Sequence, residues 1–184
     1  MAKPRIGLEH GTVRLVPYSP EWKALFNEEK HLLESILGDM VVGIEHIGST
    51  AIPDMPSKPI IDIAVAVRGK EDIPRCVELL TTKGYAYKGE YGLPGRHFFI
   101  KGTLHTHHLH VVAQGCHHWD LWLLFRNYMR EHGELASQYS SLKRAMAEKF
   151  ASDRDSYTKS KGAFIGKTLE GAMTNSKSDR MDSD

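Results

Sequence analysis

The chain is poor in cysteine, with Cys76 and Cys116 alone among 184 residues. Their spacing matches no metal-ligand pattern, so neither a disulfide framework nor a zinc ribbon is expected, and a reduced cytoplasmic setting is the default. Long apolar runs are lacking too. None approaches the ~20 residues that a membrane-spanning helix needs. Met1-Ala2-Lys3-Pro4-Arg5 leads into no apolar segment, so no signal peptide is expected. Nor does one charge dominate: 24 Lys+Arg against 23 Asp+Glu leave a net charge of +1. That balance gives no broad attraction to nucleic acid, so any anion site has to be a local cluster. No internal repeat is present. Histidine, in contrast, is abundant, with eleven in the chain.

Patterning predicts one α+β domain over residues 1–173, with a sheet part at about 12–115, a helical part at about 117–173 and a disordered polar tail over 174–184. Val13 to Val16 reads as a short strand. Ser19-Pro20-Glu21 opens a helix with a hydroxyl, a first-turn proline and an acid at the positive end of the dipole. Trp22, Leu25, Phe26, Leu32, Leu33 and Ile36 then recur at helical spacing until Gly38. Strands are expected at Val41–Ile47, Ile60–Val67, Tyr85–Lys88 and His97–Ile100, with Leu104–Val112 returning as a hairpin, and a helix near Asp72–Lys83. Helical patterns cover Trp119–Glu131, Gly133–Phe150 and about Asp155–Met173.

The most informative stretch is Glu45-His46-Ile47-Gly48-Ser49-Thr50, followed by Lys58-Pro59-Ile60-Ile61-Asp62-Ile63. Alternation puts Asp62 on the face of Ile60, Ala64 and Ala66, a lone carboxylate among small and apolar residues. Buried without partners it would be costly, so it calls for a cation, a metal or several donors. Gly48 permits close backbone approach, Ser49 and Thr50 offer hydroxyls and amides, and Lys58 is placed to meet phosphate. The plain alternative is a tight turn with Asp62 bonding its backbone.

These runs carry a resemblance. His46-Ile47-Gly48-Ser49-Thr50-Ala51-Ile52-Pro53 through Lys58-Pro59-Ile60-Ile61-Asp62-Ile63 resembles the GrpB family of bacterial proteins. The likeness continues at His108-Leu109-His110-Val111-Val112, Phe125 to Arg130, Tyr139 to Lys143, and Tyr157 with Lys161, Phe164 and Ile165. It implies a nucleotidyltransferase-like mixed β-sheet flanked by helices, with a C-terminal helical part. Related domains fused to dephospho-coenzyme A kinase hint at nucleotide or coenzyme chemistry. Nucleotidyltransferases resemble one another in a Gly-Ser loop, two carboxylates one residue apart and a third on a later strand, which together hold paired magnesium ions. Here Asp62 matches the first acid, Ala64 takes the second place, and His110 takes the third if its strand adjoins that of Asp62. Asp54 stands where the family pattern has glycine. Glu45 or Asp54 is a candidate for the missing oxygen.

By alternation His108 and His110 share a face, and with Asp62 they make a two-histidine, one-carboxylate set suited to Zn, Mn or Fe rather than a Mg pair. Read blandly, they are polar strand residues bonding neighbours. The same holds for His105, His107, His117 and His118, which are weaker candidates. Arg126 and Lys161 fall on apolar helix stripes, as does Lys143; they are either structural ion pairs to Asp62 or Glu45, or the wall of an anion pocket. Arg96, after Gly92-Leu93-Pro94-Gly95, is a candidate to close over phosphate. The expected catalytic set is therefore Asp62, Lys58 and Lys161. The expected phosphate set is Gly48, Ser49, Thr50, Lys58, Arg96 and Arg126, and the expected metal set is Asp62, His110 and His108, with Mg, Mn or Zn as the ion. The function so implied is binding of a nucleotide or other phosphorylated small molecule, with metal-dependent nucleotidyl transfer as its active form. A non-catalytic nucleotide or coenzyme-binding module, and an Asp/His metal-dependent phosphohydrolase, are the alternatives.

Overall fold

A computed structural model describes residues 6–181, with side chains described through residue 175. The residues expected to lack a signal peptide, 1–5, and the last three of the polar tail, 182–184, lie outside the described residues. Helix α1 (Glu21–Leu37) ends where expected, and Gly38 takes φ 55° to turn the chain. Five strands follow: β1 (Val41–Ile47), β2 (Ile61–Val67), β3 (Tyr85–Tyr87), β4 (Arg96–Lys101) and β5 (His107–Ala113). Helix α2 (Ile73–Thr82) links β2 to β3. The sheet order is β1-β2-β5-β4-β3, antiparallel throughout except for the parallel β2–β5 pair at its centre. The β2–β5 crossover is what sets His108 beside Asp62 and His110 beside Ala64.

One face of the sheet carries Ile61, Ile63, Val65, Val67, Leu109 and Val111, and it is covered by α1 and α2 through Trp22, Leu33, Cys76 and Leu80. The strand alternation read from the sequence is thus the alternation found. On the other face lie Asp62, Ala64, His108 and His110, beneath the C-terminal helices α3 (His117–Glu131), α4 (Gly133–Lys149), α5 (Arg154–Ser160) and α6 (Gly162–Met181). A second, smaller core of Ile52, Met55, Met129 and Tyr139 joins the loop after Gly48 to these helices.

Three local expectations are corrected. Val13 to Val16 forms no strand; Val16 makes one bridge to Ser57, because the segment runs as a strap across loops and has no neighbouring strand to extend it. The helix expected over Asp155–Met173 is two, broken at Lys161. The second of them runs past Thr174 to Met181, where polar composition had pointed to a disordered tail.

Candidate functional site

The site grows from the end of β1. Gly48 has φ 69° and ψ −171°, a region open essentially to glycine alone. A Cβ there would sit 2.6 Å from Asp62 Oδ2 and 2.9 Å from Asp62 Cβ. Glycine is therefore what lets the turn lie directly against the carboxylate. Ser49 to Ala51 then forms a single 3-10 turn. Asp54 lies beyond it with φ 60°, a left-handed conformation that glycine adopts most readily.

Side chains lock the turn from both sides. His46 Nε2 lies 2.9 Å from Thr50 Oγ1, and its ring stacks on Phe26 at 4.8 Å. Burial pushes the His46 imidazole down to about 4, so it is neutral at pH 7. From α3, Arg126 Nη1 donates to Glu45 Oε2 at 2.6 Å and to the His46 carbonyl at 2.9 Å. Arg130 donates to the Ala51 carbonyl at 2.6 Å and 3.0 Å.

Asp62 is the hub. His108 Nδ1 lies 3.1 Å and His110 Nε2 3.8 Å from the same oxygen, Oδ1. Burial opposes the charged carboxylate, but the hydrogen bonds and charges of both imidazoles outweigh it and hold Asp62 well below the usual carboxylate range. Asp62 keeps 29 % of its side-chain surface, so a small molecule has access to it.

Around this carboxylate stands a cluster of cations. Lys143, buried on α4, donates to the Pro56 carbonyl at 2.6 Å and reaches Ser57 Oγ at 3.3 Å. Lys161, at the break between α5 and α6, lies 4.1 Å over the Tyr157 ring, and Lys58 lies 5.6 Å from that same ring. Among the described residues neither has a carboxylate partner or a hydrogen-bond acceptor. Arg154 touches His105 through one nitrogen at 2.9 Å, while its Nε and Nη2 are sealed from solvent with no partner. Burial, then mutual repulsion, lowers Lys58 to about 8 and Lys161 to about 7, and carries Lys143 well below its ordinary value. Among the described residues, Asp62 is the acid whose charge reaches all four. Tyr139, whose hydroxyl meets Ser49, closes the cluster.

Gly48, Ser49, Lys58, Lys161 and Asp62 thus lie together in the fold. Thr50, Arg96 and Arg126 do not join them. Thr50 is bonded to His46. Arg126 is spent on Glu45, the structural pair foreseen as its alternative, and this also removes Glu45 as a spare oxygen. Arg96 is no mobile finger: it is buried at the start of β4, and its guanidinium holds the carbonyls of Glu90 and Tyr91 at 2.6–3.2 Å. Arg154 was missed. One signal was available, since a cation in the first turn of a helix opposes the dipole and needs another reason to be there.

The expected metal set, Asp62, His108 and His110, shares one face. Its donors do not suit a magnesium pair, because Ala64 is fully buried at the second acid position and the third is an imidazole. Among the described residues, no group of three or more His, Cys, Asp or Glu side chains is placed to hold a metal ion. A depression of about 370 Å³ between Val42, Gly43, Ala66 and Trp119 lies at the opposite end of the strands, away from these groups.

Residues 12–171 match the sequence model of the family described as GrpB protein. The glutamate-rich protein GrpB of Alkalihalophilus pseudofirmus is 38% identical over 170 residues, covering 89% of this chain and 98% of that one. With the UPF0157 protein YqkA of Bacillus subtilis the identity is 39%, but this chain spans only about half of that protein's length, 46%. The crystal structure of GrpB from Enterococcus faecalis superposes with a TM-score of 0.82 at 36% identity, over 88% of this chain and 98% of that one. A more distant likeness is to the Cid1 poly(U) polymerase bound to MgATP, with a TM-score of 0.50 at 14% identity over 72% of this chain and 44% of that one. That last likeness is one of fold, and the fold is nucleotidyltransferase-like. No described helix is long and apolar enough to cross a membrane.

Proposed function

The chain belongs to the GrpB family, and from that premise we propose that it binds a nucleotide or another phosphorylated small molecule. The phosphoryl groups lie between the Gly48–Ser49 turn and the side chains of Lys58, Lys143, Lys161 and Arg154. The observation that carries this reading is the surplus of cation, with Lys143 buried and Lys58, Lys161 and Arg154 half-buried. Among the described residues, four basic groups crowd one carboxylate, two of the lysines have only an aromatic ring as partner, and Arg154 has two sealed donors unused. An uncompensated buried charge costs several kcal/mol. A bound polyanion supplies the counter-charge that the cluster lacks. The nucleotidyltransferase-like fold favours a nucleotide as the polyanion. It does not bring two-metal transfer with it, because Ala64 and His110 stand where acids would be needed.

The test exploits proton linkage. Lys161 at about 7 and Lys58 at about 8 are partly neutral in the free protein at pH 8. A phosphate favours their charged forms, so binding takes up protons. Calorimetric titration with ATP at pH 8, in buffers of differing ionisation enthalpy, is expected to show uptake of about one proton, while adenosine binds without it. ATP binding with no proton uptake, or no ATP binding at all, sinks the proposal. The same groups set the stability of the free protein. Both lysines are lowered on folding, so the unfolded chain binds more protons between pH 7 and the ordinary lysine value of 10.5. The destabilisation is complete below pH 7, and stability rises with pH above it, by up to about 1.4 kcal/mol per pH unit for each group.

A further inference from the structure

Binding phosphoryl groups leaves one group at this site without a task. His108 stands on β5 directly beside Asp62 on β2. Its Nδ1 is 3.1 Å from Asp62 Oδ1. A carboxylate oxygen only accepts, so Nδ1 is the donor and carries the proton. In the neutral ring this leaves the lone pair on Nε2. Among the described residues no side chain or carbonyl bonds that nitrogen, and it is not one of the unpartnered polar atoms sealed from solvent; the side chain keeps 13 % of its surface. The ring is steadied by an edge contact with Phe98, 5.2 Å between centroids at 66°. Asp62 thus faces two ways: Oδ1 orients the imidazole, and Oδ2 lies against Gly48, where the proposed phosphate site begins. His110 cannot take the same part, because its Nδ1 is 3.5 Å from the Arg96 guanidinium and its Nε2 turns back to Asp62. A carboxylate that fixes the tautomer of an imidazole is the arrangement that activates histidine in catalysis, and the His108 ring lies 6.1 Å from that of His105, which holds Arg154 of the proposed phosphate site at 2.9 Å.

We infer that His108 is a nucleophile toward phosphorus, attacking a phosphoanhydride of the bound ligand through Nε2 to form a phosphoramidate. The Nε2–P bond forms and the P–O bond of the anhydride breaks. The departing phosphate oxygen keeps the electron pair, and its added charge is met by Lys58 and Lys161. The ring, now positive, keeps its Nδ1 proton against Asp62. In the second half an acceptor hydroxyl or water attacks the same phosphorus, losing its proton to solvent, and the N–P pair returns to Nε2. This inference rests on the binding reading and adds a covalent step to it.

The experiment incubates the full chain with [α-³²P]ATP and, separately, with [γ-³²P]ATP, followed by denaturation. Label that is acid-labile, alkali-stable and mapped by peptide mass spectrometry to His108 is expected. The α arm reports nucleotidyl transfer and the γ arm phosphoryl transfer. His108→Gln is expected to lose the label, and Asp62→Asn to slow labelling on the order of 10²–10⁴-fold, the general scale for losing the orienting carboxylate. Mapping in the wild-type chain keeps the test sound if a variant fails to fold. Protein that binds ATP by calorimetry but takes no label, or takes it at a residue other than His108, overturns the inference and leaves the binding reading standing. Protein that binds no ATP overturns both.

Discussion

Gly48→Ala is expected to destabilise the protein by about 2–6 kcal/mol and to abolish ATP binding. Two costs combine. The backbone at φ 69°, ψ −171° is a glycine region, worth about 1–3 kcal/mol against any other residue. The new methyl would also stand 2.6 Å from Asp62 Oδ2, 2.9 Å from its Cβ and 3.0 Å from its Cγ. Asp62 cannot swing aside without leaving His108, because its Cβ is fixed on a central strand and Oδ1 is taken. Crowding of this kind costs about 1–3 kcal/mol. In a chain of this size the transition temperature should fall by roughly 4–24 °C. Gly166→Ala serves as the control. Nothing lies within 4 Å of its would-be Cβ, and it sits within α6, so replacement should leave ATP binding intact and add up to about 1 kcal/mol of helix propensity. Chemical denaturation and calorimetric titration of both variants measure the contrast. Equal behaviour of the two would show that the contact between the turn and Asp62 has no energetic weight.

Lys161→Met is expected to move stability and binding in opposite directions. Lys161 and Lys58 share one tyrosine ring and repel each other, and Lys143 feels both. Methionine fills similar volume without charge, so the free protein should gain about 1–2 kcal/mol below pH 7. The gain should shrink as pH rises from about 7 towards the ordinary lysine value, since the native lysine loses its proton near 7. Affinity for ATP should fall about 10–100-fold, the worth of one charged hydrogen bond to phosphate. A purely structural lysine would lose stability on replacement and leave affinity unchanged.

The halves of the site differed in how far the sequence disclosed them. The Gly-Ser turn and the face of Asp62 were legible because strand alternation and glycine's freedom are local rules. That His110 comes near Asp62 was legible only as a condition, that their strands adjoin; the parallel β2–β5 pair meets it and puts His108 directly beside Asp62. The arginines misled. Arg96 and Arg126 look like phosphate ligands along the chain, yet their partners are carbonyls and Glu45 brought in by the fold. Lys161 read as part of one continuous helix; its place one turn after Tyr157, over that ring, follows from the spacing, whereas the break between α5 and α6 did not show in the sequence. Glu29 had no signal either. It lies buried in the apolar face of α1, held by Lys101 at 2.7 Å and by the Tyr85 hydroxyl, partners 72 and 56 residues away. Long-range pairing of charges is written in the topology and not in any window of sequence.

The most direct measurement is a crystal structure of the full chain with a non-hydrolysable ATP analogue. The account predicts the phosphoryl groups against Gly48 and Ser49, with Lys58, Lys143, Lys161 and Arg154 as their donors and Asp62 beside them. A nucleotide seated elsewhere, for instance in the depression between Val42 and Trp119, with the lysine cluster unengaged, would contradict it.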